Sequence, residues 1–285
     1  MNEIALSVVA PVFNEAPILP ELARRCAEAA LATGLTYEVI LVDDASTDET
    51  ERLAPSLSHD GVRFLRLPKN RGQLGATLAG LAAAQGDYVV VLDGDLQDPP
   101  EMMGALLSRL RQGDRVEAVF AVKQRRDDPA WFRFGAAIYR WLQRRLARTA
   151  LPSGAGSYCA ISSLLARQIA ALPEQDANLS VIIAALGHPM ATIPYIKEGR
   201  YDGRSRVGLL GLVREATGSL LLTGALERLA AFCTGLIVVA RILFPARIPF
   251  PAMLVAVLVF FPCCWVPLRY RRLWRLRPRQ PSALT

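Results

Sequence analysis

Residues 87–101 read Asp-Tyr-Val-Val-Val-Leu-Asp-Gly-Asp-Leu-Gln-Asp-Pro-Pro-Glu. The apolar run over 88–92 is typical of a strand that is buried on both faces of a parallel sheet. The run ends at two carboxylates, Asp93 and Asp95, and the amide of Gln97 follows before Pro-Pro opens a predicted helix. Ligands of open α/β sheets bind beyond the carboxyl ends of the strands, so this stretch predicts a site at the end of a central strand.

The side chains of Asp93, Asp95 and Gln97 are hard oxygen donors, which suit Mg²⁺ or Mn²⁺. Mg²⁺ is commonly held by one or two carboxylates together with the phosphates of a substrate. The pattern therefore predicts a cation that binds with a diphosphate-bearing substrate. The alternative is a strand end whose acids only cap the next helix, a role that would suit Asp98.

Strand and helix patterns alternate over the first 120 of the 285 residues. This alternation predicts a mostly parallel sheet with helices on both faces, and Gly86 is predicted to end a helix as its C′ glycine. The predicted strands are 4–10, 37–42, 62–66, 88–92 and 116–122, and the predicted helices are 15–33, 47–57, 72–85 and 100–112.

Three further predicted strands end in polar groups, at 11–15, 43–48 and 70–75. Each of these alone is typical of a turn or a cap, but four such ends in one sheet favour a shared ligand site. The free N–H groups of the helix that follows 70–75 could receive phosphate. Gly72-x-x-Gly75 does not match the dinucleotide-binding fingerprint.

The formal charge of +7 is localised, because six arginines and no acid lie in 269–279 and leave the remainder near +1. This distribution argues against a nucleic-acid partner. The five cysteines are an odd number without metal-ligand spacing, which indicates reduced thiols. The first residues lack the pattern of a signal peptide, so we expect residues 1–208 to form a cytoplasmic domain.

The C-terminal third is strongly apolar, and 248–268 contains 21 residues without a charge, enough to cross a bilayer. Together with a weaker candidate at 229–244, it predicts two transmembrane helices within 229–268, preceded by a juxtamembrane helix at 209–228. The basic tail at 269–285 would then lie on the cytoplasmic side. A buried pair of helices in a soluble protein is the alternative.

Residues 131–149 have apolar side chains on one helical stripe and arginines on another. This pattern predicts an amphipathic helix on an anionic membrane surface, or else a core-packed helix with a solvated face. The sequence thus favours a multi-pass protein of the cell (inner or plasma) membrane whose catalytic domain is cytoplasmic.

The motifs at 11–15, 42–48, 70–73 and 93–101 resemble, in that order, those of glycosyltransferase family 2. Within that family the chain is most similar to polyprenyl-phosphate glycosyltransferases of the dolichol-phosphate mannose synthase type and their bacterial undecaprenyl-phosphate branch, over residues 5–225. The resemblance implies a GT-A fold, a Mg²⁺ or Mn²⁺ cofactor, and inverting transfer of one sugar from a nucleotide-sugar donor to a polyprenyl phosphate.

The resemblance also implies roles for individual residues. The catalytic residues would be Asp95, Lys123, Arg133 and Arg200. The nucleotide sugar would contact Pro11, Phe13, Glu15, Asp44, Arg71, Gln73 and Asp93. The metal ligands would be Asp93, Asp95 and Gln97. The acceptor phosphate would contact Lys123, Arg133, Arg200, Ser205 and Arg206. A segment that carries an acid and an arginine in the family reads Gly156-Ser157-Tyr158-Cys159-Ala160 here.

A lipid phosphate is anionic at neutral pH and attacks without a general base, so positioning and charge neutralisation would supply the catalysis. A transferase with a hydroxyl acceptor, such as a polysaccharide, would instead want a carboxylate base, for which Asp127 or Asp128 could serve. The Gln-x-x-Arg-Trp signature of processive synthases is absent. A non-catalytic membrane adaptor that binds a nucleotide sugar is a third reading. The sugar, the base, the lipid chain and any homo-oligomer stay open.

Overall fold

The computed structural model describes residues 4–57, 61–112, 115–123, 152, 154–172 and 178–196. Seven strands form one sheet within these residues. They are β1 (Leu6–Val12), β2 (Tyr37–Asp43), β3 (Val62–Arg66), β4 (Tyr88–Val91), β5 (Ala118–Lys123), β6 (Ala155–Ser162) and β7 (Met190–Tyr195).

The strand order is β3-β2-β1-β4-β6-β5-β7. The pairs β2–β3, β1–β2, β1–β4 and β5–β7 are parallel, whereas β6 runs antiparallel to both of its neighbours. The predicted α/β class with a mostly parallel sheet is confirmed. The carboxyl ends of β1, β2, β3, β4, β5 and β7 therefore share one edge of the sheet, called the carboxyl edge below, and β6 begins there.

Helices cover both faces of the sheet, as predicted from the alternating pattern. One hydrophobic core contains Leu22, Leu57 and Leu106, and the other contains Leu81 and Ile182. The first face carries α1 (Leu19–Leu31), α2 (Thr50–Leu57) and α4 (Met103–Leu110), and the second carries α3 (Gly72–Ala83), α5 (Ser163–Ala170) and α6 (Leu179–Leu186). A 3₁₀ turn, Pro100–Met102, precedes α4.

The first helix begins at Leu19, four residues later than the sequence predicts. The backbone N–H of Asn14 donates to Ser46 Oγ at 2.8 Å, and that of Ala16 donates to Asp48 Oδ2 at 3.2 Å. These bonds hold the segment against the loop after β2, so it follows the neighbouring loop before the helix can begin.

The prediction for Gly86 is wrong. Helix α3 ends at Ala83, and Ala84 already has an extended backbone. Gly86 instead lies against β1, where a Cβ atom would stand 2.6 Å from the backbone nitrogen of Ser7 and 2.7 Å from the carbonyl carbon of Leu6. Glycine is needed there for close approach of two backbones.

Within the described ranges, no helix combines the length and the apolar character needed to cross a membrane. The predicted amphipathic helix at 131–149, the juxtamembrane helix at 209–228, the hairpin at 229–268 and the tail at 269–285 lie outside the described residues.

Candidate active site

The loops that follow β1, β2 and β4 share an unusual backbone conformation. Asn14, Ala45 and Leu96 have φ angles of 55°, 58° and 55°, although none of them is glycine. Such left-handed residues cost about 1–3 kcal/mol each and cluster at functional sites. Because β2, β1 and β4 are adjacent and parallel, the three loops lie side by side at the carboxyl edge.

The loop after β1 is fixed by the loop after β2. The N–H of Thr47 donates to Asn14 Oδ1 at 2.8 Å, which adds to the bond from Asn14 to Ser46. Three residues predicted to border the nucleotide lie here: Pro11 is buried, Phe13 is 38% exposed and Glu15 is half-buried. A large aromatic side chain is thus held at the surface of this edge.

The two acids that end β2 have separate structural partners. Asp43 is fully buried, pairs with Arg66 at 2.5 Å and accepts the N–H of Ser46 at 2.9 Å. Asp44 accepts the N–H of Arg71 at 2.7 Å and so holds the segment that begins α3. Burial raises the pKa of the Asp44 carboxyl, opposed by the backbone N–H groups of Arg71 and Gly72. The site expected to receive phosphate at this helix start therefore already contains a carboxylate.

The carboxylate of Asp93 lies between two elements. Its Oδ1 atom accepts a hydrogen bond from Gln73 Nε2 at 2.5 Å and another from Ser157 Oγ at 2.6 Å. Gln73 lies in the first turn of α3, and Ser157 lies in β6. Asp93 has the same strand parity as Val91, which packs on the α3 face, so its side chain is directed towards that helix.

Asp95 and Gln97 follow in the same loop. Asp95 is half-buried, and its Oδ1 accepts the backbone N–H of Gln97 at 3.1 Å. No arginine or lysine among the described residues forms an ion pair with Asp95, unlike Asp43. Gly94 brings the loop close to β1, because a Cβ atom there would lie 2.6 Å from the carbonyl oxygen of Pro11.

These side chains fit a divalent cation that binds together with a diphosphate. In the part of the chain described, no group of three or more His, Cys, Asp and Glu residues could hold a metal ion by itself. Two carboxylates and one amide on a single loop are oxygen donors of the kind that Mg²⁺ takes, and Mg²⁺ commonly completes its octahedral shell with substrate phosphates and water.

The interpretation of Asp98 as a helix cap is not supported. The cap position belongs to Pro99, and no side chain caps the 3₁₀ turn. Asp98 is buried, and its Oδ1 accepts a short hydrogen bond from the hydroxyl of Tyr195. Tyr158 donates its hydroxyl to the carbonyl of Pro99 at 2.8 Å, and its ring meets that of Tyr195 edge-on at 6.0 Å.

Lys123 lies at the carboxyl edge as the last residue of β5, paired in register with Tyr195. Its strand is two positions away from β4, a separation of about 10 Å. The other residues predicted to contact the acceptor, Arg133, Arg200, Ser205 and Arg206, lie outside the described residues.

Three residues of this edge are absent from the predicted site: Ser157, Tyr158 and Tyr195. Each reaches the loop of 93–100 from β6 or β7, which follow that loop by more than 50 residues in the chain. The only signal in the sequence was the segment 156–160, where serine and cysteine stand at positions that carry an acid and an arginine in the family.

A family model described as "Glycosyl transferase family 2" matches residues 7–170, from the second residue of β1 to the end of α5. Among curated proteins, an uncharacterized glycosyltransferase of Synechocystis sp. is 29% identical over 206 residues, 71% of this chain and 64% of that protein. The undecaprenyl-phosphate 4-deoxy-4-formamido-L-arabinose transferase of Pseudomonas aeruginosa is 40% identical over 149 residues, 51% of this chain and 43% of that protein. The chain thus spans less than two thirds of either relative.

Among solved structures, glucosyl-3-phosphoglycerate synthase of Mycobacterium tuberculosis superposes with a TM-score of 0.59, at 24% identity, over 77% of this chain and 80% of that one. That crystal contained Mn²⁺, uridine diphosphate and glucosyl-3-phosphoglycerate. Another crystal of the same synthase, with Mg²⁺ and uridine diphosphate, gives a TM-score of 0.55 at 23% identity. At this identity the likeness concerns the fold.

Proposed function

The chain belongs to glycosyltransferase family 2, and we propose from this premise that it transfers a single sugar, with inversion, from a nucleotide sugar to a polyprenyl phosphate at the cytoplasmic face of a membrane. The observation that carries the proposal is the pair of carboxylates after β4. Asp93 is held by Gln73 and Ser157, while Asp95 forms no ion pair within the described residues.

The donor half of the proposal rests on the loops after β1, β2 and β4. Pro11, Phe13, Glu15 and Asp44 would border the nucleotide, with Arg71 and Gln73 at the start of α3. Their loops are joined by hydrogen bonds and held in left-handed conformations, so their shape exists before the ligand binds. A preformed site loses less conformational entropy on binding.

A divalent cation, Mg²⁺ or Mn²⁺, would neutralise the charge of the departing diphosphate. Asp95 and Gln97 would hold it together with Asp93. The solved structures of similar fold contained Mn²⁺ or Mg²⁺ with uridine diphosphate, which supports this reading without identifying the cation or the base used here.

The acceptor half rests on where the flanking strands end. The segment that contains Arg133 leaves β5 at Lys123 and enters β6 at Ala155, and both of these residues lie at the carboxyl edge. Arg200 follows Tyr195, the last residue of β7, by five residues, a reach of at most about 18 Å. Lys123, Arg133 and Arg200, with Ser205 and Arg206, are our candidates to bind the acceptor phosphate.

The described carboxylates at this edge favour an acceptor that needs no base. Asp44, Asp93 and Asp98 each accept a hydrogen bond from another residue of the chain, and these bonds hold the three carboxylates in position. A phosphate monoester is already ionised at pH 7, so attack requires alignment with the sugar and neutralisation of two anions. Guanidinium groups supply both through bidentate contacts.

The relative with 40% identity is named for undecaprenyl phosphate, which supports the acceptor class over the aligned part. The apolar segments at 229–268 and the basic tail at 269–285 would anchor the chain beside such a lipid, and the amphipathic pattern at 131–149 would place its apolar stripe in the same interface.

Transfer of a radiolabelled sugar tests the proposal. Membranes that contain the full chain are incubated with a panel of nucleotide sugars, Mn²⁺ and undecaprenyl phosphate, and label in the organic phase is measured. Asp95→Asn should abolish transfer, and so should chelation of divalent cations. The matched control is Asp87→Asn. Asp87 is an exposed acid before β4, whereas Asp95 lies after β4, so this change should leave transfer unchanged.

The same assay distinguishes the alternatives. Label in a polymer would replace the lipid acceptor by a hydroxyl acceptor, and Asp127 or Asp128 would then be tested as the base. Nucleotide-sugar binding without any transfer would support the adaptor. Transfer that survives both Asp95→Asn and chelation would overturn the role of the cation.

A further inference from the structure

Strand β6, which runs antiparallel to the other strands of the described sheet, carries a hydroxyl into the proposed donor site. In β6, Cys159 pairs with Val91 and Ala160 with Val90. Continuing this antiparallel register by two residues sets Ser157 opposite Asp93, on the same face of the sheet. The contact between these two side chains thus follows from strand pairing.

The contact fixes the carboxylate of Asp93 through one oxygen. Oδ1 accepts a hydrogen bond from Nε2 of Gln73, in α3, at 2.5 Å and another from Oγ of Ser157, in β6, at 2.6 Å. A carboxylate oxygen has two lone pairs, and two donors from different elements use both. Two donors that converge on one oxygen from different elements restrict rotation of the carboxylate about its Cβ–Cγ bond.

We propose that Ser157 is a positioning residue of the donor site, whose hydroxyl holds the Asp93 carboxylate in the orientation that receives the cation and the diphosphate. The proposal rests on the proposed function, because it concerns the same site. It gives a use to the position at which the chain departs from its family, since a hydroxyl can donate to Asp93 and a second carboxylate cannot.

The chain offers a matched control on the same strand. Ser162, the last residue of β6, also donates its hydroxyl to a carboxylate, that of Glu117, and it caps α5 through the N–H of Leu165. It lies at the opposite end of β6 from Ser157. Removing either hydroxyl breaks one serine–carboxylate bond on one strand, but only Ser157 lies at the carboxyl edge.

The experiment measures how tightly the full-length protein retains Mn²⁺. Free Mn²⁺ is followed by electron paramagnetic resonance during titration in the presence of UDP, GDP, ADP or CDP, and the nucleotide that gives the tightest retention in the wild type is then used for every variant. The melting temperature of each variant is recorded without ligand. The variants are Ser157→Ala, Ser157→Thr and Ser162→Ala.

Ser157→Ala should weaken Mn²⁺ retention by about tenfold, the effect of one lost hydrogen bond to a charged group. Ser157→Thr keeps the hydroxyl and should restore most of the retention. Ser162→Ala should lower the melting temperature at least as much as Ser157→Ala, because it also removes a helix cap, and should leave Mn²⁺ retention unchanged.

Three outcomes would count against the role of Ser157, and they can be told apart. If the wild type retains Mn²⁺ and Ser157→Ala retains it equally well, the role of Ser157 is wrong and the proposed function still stands. Absence of Mn²⁺ retention by the wild type with all four nucleotides would overturn the metal-dependent donor site and the role of Ser157 with it. Equal weakening by Ser157→Ala and Ser162→Ala would show a general loss of structure and reject the positioning role.

Discussion

The hydroxyl of Tyr195 donates a hydrogen bond to the buried carboxylate of Asp98, and the two residues are 97 positions apart in the chain. Tyr195 ends the edge strand β7, and Asp98 lies in the loop that carries Asp93 and Asp95. The far edge of the sheet is thereby tied to the candidate metal loop. Burial raises the pKa of Tyr195 most, and the hydrogen bond to Asp98 raises it further, so the hydroxyl stays protonated at neutral pH.

Replacing Tyr195 by phenylalanine should therefore destabilise the fold and impair the site. A buried carboxylate that loses its donor costs about 1–3 kcal/mol of unfolding free energy. We expect a loss of this size in urea denaturation, and a higher Mn²⁺ requirement for sugar transfer because the loop of Asp93 and Asp95 is less well held.

Tyr37→Phe is the control, because the Tyr37 hydroxyl forms no hydrogen bond within the described residues. It should change the free energy of unfolding by no more than about 0.5 kcal/mol and should leave the Mn²⁺ requirement for transfer unchanged. If Tyr195→Phe unfolded at the same urea concentration as the wild type, the bond to Asp98 would be irrelevant to stability.

The buried histidine that follows α6 makes stability depend on pH. His188 is 8% exposed, and its Nε2 contacts Gln168 Oε1 at 2.8 Å. Burial lowers the pKa of His188 below its ordinary value of 6.5, while the charge of Glu117 opposes that shift. The folded protein thus keeps the ring neutral at a pH where the unfolded chain has begun to protonate it.

The sign follows from proton counting. Below pH 6.5 the unfolded chain binds more protons at this residue than the folded protein. The contribution of His188 is therefore complete above pH 6.5 and is lost as the pH falls from there through the lower pKa of the folded protein. Urea denaturation at pH 7.5 and pH 5.5 should show a smaller loss of stability for His188→Gln than for the wild type. Identical losses would contradict a buried neutral ring.

Two glycines should respond oppositely to alanine. Gly86→Ala would place a Cβ atom 2.6 Å from the Ser7 backbone nitrogen, and forced overpacking of this kind costs about 1–3 kcal/mol. Gly104 lies in α4 with nothing within 4 Å of its added Cβ atom, so Gly104→Ala should stabilise the helix by roughly 0.5–1 kcal/mol. Thermal unfolding of the two variants measures both effects, and a stabilised Gly86→Ala would refute the close approach.

Local patterns predicted β1 to β5 because apolar and β-branched residues concentrate in strands that pack in a core. The strand over 62–66 has the predicted bounds, and the carboxylates after 88–92 lie at a strand end as expected. Membership of the family was likewise readable from short motifs. These features depend on residues that are neighbours in the chain.

The remaining contacts depend on which distant strands pair, and no local pattern encodes that choice. The alternation of strands and helices did not predict that β6 would run against its neighbours, and this reversal is what brings Ser157 to Asp93. Asp98 looked like a cap because capping is the common local use of an acid before a helix. Its actual partner, Tyr195, reaches it only through tertiary packing.

The reversal of β6 also makes one connection exchangeable. A right-handed crossover between parallel strands must pass over a face of the sheet. Strands β5 and β6 are antiparallel, so the residues between Lys123 and Ala155 leave the sheet and return to it at the carboxyl edge. Under the proposed function, a chimaera that takes residues 124–154 from another member of the family should keep its own nucleotide preference, because the loops after β1, β2 and β4 lie outside the graft.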